Sequence, residues 1–199
     1  MTHELKKIIR EYQSATSKGL KCVLATVVAL DGSSYRRPGV RMLILEDGHM
    51  IGAVSGGCVE KEVVRQAQSV FADEISKIMT YDGRYRLGCE GILYILLEAF
   101  RPDKVFLETF ELTIASRHHF RIQSFFEKKE GSNANYGSMV IFGQEQLPLL
   151  PGFHTQEKLE VFEQSMKPCF KLFIIGAEHD SVQLCNFAAM AGWEVTIVA

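Results

Sequence analysis

No Cys-x-x-Cys pair occurs in the chain, so neither a zinc ribbon nor a thioredoxin-type redox motif is available. No apolar run approaches the roughly 20 residues of a membrane-spanning helix; the longest is residues 22–30. The first residues, Met-Thr-His-Glu-Leu-Lys-Lys, lack the apolar core of a secretion signal. Charge of one sign is also missing. A formal net charge of -2 gives no case for nucleic acid or an anionic membrane as the main partner. The five cysteines, Cys22, Cys58, Cys89, Cys169 and Cys185, are odd in number and widely spread. In a chain with no signal segment they predict reduced thiols and a cytoplasmic location.

What is present is ordinary for a soluble globular protein: 199 residues, 47% hydrophobic and 23% charged, enough for one or two domains with a real core. The chain is organised around Gly52-Ala53-Val54-Ser55-Gly56-Gly57-Cys58-Val59-Glu60, which reads as a strand end, a glycine turn and the first turn of a helix. Gly56 and Gly57 open backbone angles closed to other residues and leave room for a ligand near the main chain. Val59, Val63, Ala67 and Val70 then recur at helical spacing. Cys58 falls at the helix start, where unpaired N–H groups and the macrodipole favour an anion, a ligand's or its own thiolate. The plainer alternative makes Cys58 a small, half-buried apolar residue in a tight turn.

Taken in order, Leu5, Ile8, Ile9 and Tyr12 mark one face of an N-terminal helix ending near Gly19. Residues 22–30 read as a central strand, apolar on both faces. The loop Asp31-Gly32-Ser33-Ser34-Tyr35-Arg36-Arg37-Pro38-Gly39 follows, with Arg41 just beyond it. Its arginines are either a solvated loop or a phosphate clamp, since guanidinium forks match phosphate oxygens. Asp47-Gly48 signals a tight hairpin between strands at 41–46 and 49–54, which places the arginine loop and the glycine turn at the same end. Residues 75–81 and 92–97 read as strands, the second interior and ended by Glu98. Between them lies a loop, residues 82–91, with glycine, arginine and Cys89 together. A helix starts at Pro102. Strands at 120–126 and 138–142 flank a polar hairpin loop. His118 and His119, near a strand start, would point to opposite faces and make a poor metal pair. Pro148, Pro151 and Gly152 mark a domain boundary, followed by a short polar helix over 156–164.

Residues 170–175 then read as a buried strand, followed by Gly176-Ala177-Glu178-His179-Asp180-Ser181, a helix closed by Gly192, and a strand over 193–198. This β-turn-α-β pattern opens a dinucleotide-binding unit. Its glycine fingerprint is weak: Glu178 and Ser181 stand at the second and third glycine positions, and a carboxylate there repels a diphosphate. NAD(P) is therefore disfavoured, and a nicotinamide-dependent oxidoreductase is the alternative function. Two strands and one helix cannot bury both faces of a parallel sheet. Either the sheet is completed by the first domain or another subunit, or the chain is a fragment. The open edge predicts a homodimer. A thiol enzyme built on Cys58 would need a base beside the sulfur; His49 falls at the far end of the hairpin and His179 in the other domain. The expected fold class is α/β: a mixed-sheet domain over residues 1–150, then a partial, incomplete Rossmann-like βαβ unit over 151–199.

Several stretches together resemble the XdhC/CoxI family of accessory proteins for molybdenum hydroxylases. They are Ala25-Thr26-Val27-Val28, Gly32 through Leu43, Gly52 through Glu60, Leu87-Gly88-Cys89-Glu90-Gly91, and Phe173 through Asp180 with Gly192-Trp193. The resemblance implies a non-catalytic chaperone that binds molybdenum cofactor (molybdopterin), allows its sulfuration and hands it to a xanthine dehydrogenase-type client, with a cysteine desulfurase as a further partner. It implies cofactor binding by Ser34, Arg36, Arg37, Arg41, Ser55, Gly56, Gly57, Cys58, Glu60 and Cys89, and by Gly176, His179 and Asp180 at the second turn. Arg36, Arg37 and Arg41 would supply a cationic clamp, the Gly56-Gly57 turn amide donors, and Cys58 the sulfur facing the molybdenum, with Cys89 second choice. Two departures from the family pattern stand out: Glu90 and Glu178 occupy positions where glycine is usual.

Overall fold

The structure, a computed structural model, describes residues 1–55, 57, 59–85, 90–155 and 158–199. It contains four α-helices and three sheets among those residues. The first sheet holds β1 (Cys22–Asp31), β2 (Arg41–Leu45), β3 (Met50–Gly52), β4 (Lys77–Asp82), β5 (Ile92–Ala99) and β7 (Gly131–Ser132), in the order β3-β2-β1-β5-β4-β7. All of its pairings are antiparallel. β1 and β5 lie at its centre, so both are apolar on both faces, as their unbroken hydrophobic runs require.

Those two faces bury different partners. Val23, Ala25 and Val27 of β1, with Ile95 and Leu97 of β5, pack against α2 (Glu60–Asp73) through Val63, Ala67 and Val70. Glu74, in the left-handed region at φ 57°, ends that helix with its amide on the Val70 carbonyl. The opposite face carries Leu24 and Leu43. It packs against α1 (Thr2–Thr16) through Leu5, Ile8, Ile9 and Tyr12, and against α3 (Lys104–Ala115) and a second sheet. α3 starts where Pro102 points, with Asp103 capping the Phe106 amide at 2.8 Å.

The second sheet has the order β10-β6-β8-β9, built from β6 (Phe120–Phe126), β8 (Gly137–Phe142), β9 (Glu145–Pro148) and β10 (Glu160–Met166). β10 corrects an expectation: residues 160–166 form a strand antiparallel to β6, not a polar helix. Phe162, Gln164 and Met166 turn inward at period two while Val161, Glu163 and Ser165 face water. The hydrogen-bond ladder of the second sheet thus runs to Met166. Glu98 is a second correction. It does not end β5 but lies within it, 2% exposed.

The last unit is β11 (Lys171–Ile175), α4 (His179–Met190) and β12 (Glu194–Val198), with the two strands parallel. β11 is not buried as expected: Phe170, Phe173 and Ile175 are 73%, 58% and 87% exposed. A two-stranded sheet with one helix has too little surface to cover them. Lys6 and Arg117 hold this unit to the first through Glu194, at 3.0 and 2.6 Å. Gly192, at φ 81°, sits against the ring of His3 with no room for a methyl group.

Candidate functional site

The β2–β3 hairpin forms as its Asp47-Gly48 turn requires, with the His49 amide on Asp47 Oδ1 at 3.0 Å. Met42 lies opposite Gly52, so the segment before β2 and the segment after β3 emerge side by side. Gly52, at φ 87°, cannot be anything else: a Cβ would stand 2.6 Å from the Arg41 carbonyl oxygen.

After Gly52 the chain closes on itself through one serine. Ser55 donates its amide and hydroxyl to the two carboxylate oxygens of Glu60, at 2.8 and 2.7 Å. Its Oγ accepts from the amides of Gly57 and Val59 at 3.2 and 3.3 Å. Burial pushes the Glu60 carboxyl up, but the Ser55 hydrogen bonds outweigh it and leave the group below its usual range. Within the glycine turn, the amides of Gly57 and Val59 are thus taken internally, and the helix start is already served by a carboxylate.

Three loops meet beside this turn. Gly32 lies so close to the third loop that a Cβ would stand 2.7 Å from the Glu90 carbonyl oxygen, and a Cβ on Gly91 would stand 2.6 Å from that of Ser33. Asp31 anchors the arginine loop, accepting from Tyr94 at 3.0 Å and Lys128 at 2.7 Å. The loops enclose a pocket of about 40 Å³ whose walls include Ser34, Arg36, Ser55, Val59, Tyr81 and Leu93. Ser34, Arg36 and Ser55 are thus brought together, and Arg37 is exposed on the same loop. Arg36 Nε is buried without a hydrogen-bond partner among the described residues. Its guanidinium carbon lies 5.8 Å from the Tyr35 ring centre. Cys58, Gly56 and Cys89, the expected sulfur and turn residues, lie outside the described residues.

Arg41 does not join this group. It is 8% exposed and faces the second sheet, where Nη1 donates to the Gly39 carbonyl at 3.0 Å and to Gln164 Oε1 of β10. The clamp reading is corrected for this residue: strand alternation turns it inward at the first position of β2, on the same face as Leu43. Burial pulls its guanidinium down to about 10, against the attraction of Glu98 and Glu4. Burial also pushes Glu98 up to about 7, opposed by hydrogen bonds from Ser138 and by Arg41. Ser138 Oγ donates to Glu98 at 2.6 Å and lies 2.8 Å from Ser124 Oγ. Sequence reasoning missed this polar cluster. The one signal was a lone carboxylate inside the run Leu96-Leu97-Glu98-Ala99-Phe100.

Gly176, His179 and Asp180 sit on the β11–α4 turn, and none of them lines the pocket. Gly176 adopts φ 122°, as a tight turn needs, but the Glu178 carboxylate folds back over it, 2.6 Å from where a Cβ would stand. That is where a diphosphate would approach the helix N-terminus. A larger groove, about 720 Å³, runs between α3 and the second sheet and is lined by His118, His119 and Arg121. The two histidines precede β6 and share that groove, so strand alternation does not separate them.

The family model for the XdhC and CoxI family matches residues 15–82, from the end of α1 through the arginine loop and α2 to β4. The chain is 29% identical over 196 residues to a probable xanthine dehydrogenase subunit of Bacillus subtilis (strain 168), covering 89% of this chain and 59% of that one. It is 26% identical over 200 residues to the molybdenum cofactor insertion chaperone PaoD of Escherichia coli (strain K12), covering 98% and 58%. A crystal structure described as a xanthine dehydrogenase, from Bacillus halodurans, shares the fold with a TM-score of 0.74 at 22% identity, covering 95% of this chain and 61% of that one. The chain thus spans about three-fifths of the length of the relatives it matches.

Proposed function

We propose, from the match of residues 15–82 to the XdhC and CoxI family model and from the two curated relatives, that this chain binds molybdenum cofactor as cargo and delivers it to a xanthine dehydrogenase-type molybdenum hydroxylase. The observation that carries the reading is Arg36 Nε, buried and without a hydrogen-bond partner among the described residues, on a side chain that lines one pocket with Ser34 and Ser55. A buried donor left without a partner costs about 1–3 kcal/mol, and an anionic oxygen at that point removes the cost.

The residues fit part of the cargo. Arg36 and Arg37 suit its phosphate, which guanidinium forks bind well. The pocket walls of Tyr81, Val59 and Leu93 suit an apolar ring edge rather than a whole pterin, given a volume of about 40 Å³. The Gly57 and Val59 amides do not serve as an anion hole while Ser55 Oγ holds them. When bound, the cofactor brings the dithiolene-held molybdenum that the client enzyme uses. The role read for this chain is holding and orienting it, without turnover of its own. Cys58 is the sulfur proposed to face the metal and to take part in sulfuration, with a cysteine desulfurase as donor.

The β11–α4–β12 unit is read as the start of a Rossmann-like domain, and Glu178 over its glycine turn weighs against NAD(P) there. The exposed apolar side chains of β11 and α4 support a homodimer or a covering partner. A cytoplasmic setting accords with the scattered cysteines.

The test is purification from a cofactor-competent host, with molybdenum by elemental analysis and pterin by fluorescence. Wild type should carry both, and Arg36→Ala with Arg37→Ala should carry at least roughly tenfold less, the low end for losing one charge-assisted contact of about 1.5–3 kcal/mol. Equal content in the double variant removes the clamp. Equal content in Cys58→Ser removes the sulfur from the mechanism.

A further inference from the structure

We propose that Arg41 is a positioning residue for the arginine loop: it ties the loop's exit, at the Gly39 carbonyl, to Gln164 on β10 of the second sheet. The importance of that loop rests on the function proposed above; the tie itself does not.

The geometry is specific. Gly39 and Val40 are already paired with β1, the Gly39 amide on the Val27 carbonyl at 2.8 Å and the Val27 amide on the Val40 carbonyl at 3.0 Å. On its opposite edge, where it pairs with β5, β1 is irregular between Val27 and Ala29. Arg41 adds a side-chain tie at the loop's exit, with one nitrogen reaching both Gly39 and Gln164. Gly39 is at φ 96°, and a Cβ there would stand 2.3 Å from Gln164 Nε2, so the glycine makes the room that Gln164 fills. Arg41 is two residues past the loop's last turn, Gln164 is far away in sequence, and their contact joins the loop to a different sheet.

Stability alone does not account for the arrangement. A buried guanidinium loses hydration worth several kcal/mol. Among the described residues its Nη2 has no partner, and neither has the buried hydroxyl of Thr26, which lies opposite Arg41 in the β1–β2 register. An aliphatic residue would fill the same space without those losses. Glu98, opposite Leu24 and so on the same face of the sheet, offsets those losses only when ionised, and burial pushes its carboxyl up to about 7. Buried polar contacts of this kind are best attested as devices that fix one register over others. Here the register fixed is that of the segment carrying Ser34, Arg36 and Arg37.

The experiment is backbone hydrogen–deuterium exchange at residues 33–37 in the full chain, paired with molybdenum cofactor binding by fluorescence titration. Gln164→Leu removes the acceptor on β10, and Arg41→Lys keeps the charge toward Glu98 but loses the fork. Val70→Ala, beside Cys22 and Ala99 at the end of β1 opposite the loop, serves as a destabilised control. Loop exchange at least tenfold faster in Gln164→Leu and Arg41→Lys, unchanged in Val70→Ala, and affinity about tenfold weaker in the first two, is the expected result. If Arg41→Lys does not fold, Gln164→Leu decides. Wild-type exchange at residues 33–37 in Gln164→Leu overturns the proposal. Should wild type bind no cofactor, the delivery function falls and the exchange measurement still decides the positioning role.

Discussion

Replacing Glu98 by Gln should flatten the dependence of stability on pH. The carboxyl is 2% exposed, and burial pushes it up to about 7 from an ordinary value of 4.5. A group whose native value is raised holds its proton more tightly when folded. Its contribution is therefore complete below 4.5 and is lost as pH rises through about 7. At about 1.4 kcal/mol per pH unit, the native state loses on the order of 3 kcal/mol across that window. For a chain of this size that is roughly 6–12 °C in melting temperature. Glutamine keeps an acceptor for Ser138 Oγ and cannot ionise. Thermal melts of both proteins from pH 4.5 to 8 isolate the effect as the change in their difference, independent of any constant offset from leaving Arg41 without a counter-charge. The wild-type curve should fall relative to the variant as pH rises. Parallel curves would mean that Glu98 titrates alike in folded and unfolded chains, and the electrostatic account of the buried cluster would be wrong.

Three other substitutions probe the site's framework. Gly52→Ala puts a methyl group 2.6 Å from a backbone oxygen at a positive φ, and chemical denaturation should show a loss of roughly 2 kcal/mol or more. Ser55→Ala removes the acceptor of two amides and a donor to Glu60, so amide exchange at Gly57 and Val59 should quicken and stability fall by about 1–3 kcal/mol; unchanged exchange there contradicts the closed-turn geometry. Glu194→Gln breaks ion pairs that are a third exposed, so its melting temperature should drop by no more than roughly 1 kcal/mol implies, and a far larger drop would show that the last unit is docked chiefly through this residue.

Much of the first unit was legible because its signals are local. Val59, Val63, Ala67 and Val70 announce α2 by spacing, and Asp47-Gly48 fixes the hairpin that sets two loops side by side. β10 was missed for the opposite reason. Its inward residues are Phe162, Gln164 and Met166, and a glutamine among them blurs the alternation that would have revealed a strand. The exposure of Phe173 and Ile175 was hidden because an apolar run states what a segment prefers to bury against, not whether a partner is present. Arg41 shows the same limit at the site. Three arginines close in sequence invite one role, yet a turn and a strand start separate them, and pleating sends the third inside. The Ser55–Glu60 closure was invisible because it depends on side-chain direction across five residues rather than on composition.

Gly32 and Gly91 bring two distant segments into backbone contact with no space for so much as a methyl group between them. Neither backbone can then close on the other, and a side chain added at either glycine must push its neighbour aside. For anyone reshaping this pocket by directed evolution, the two glycines are best left fixed while the residues around them are varied.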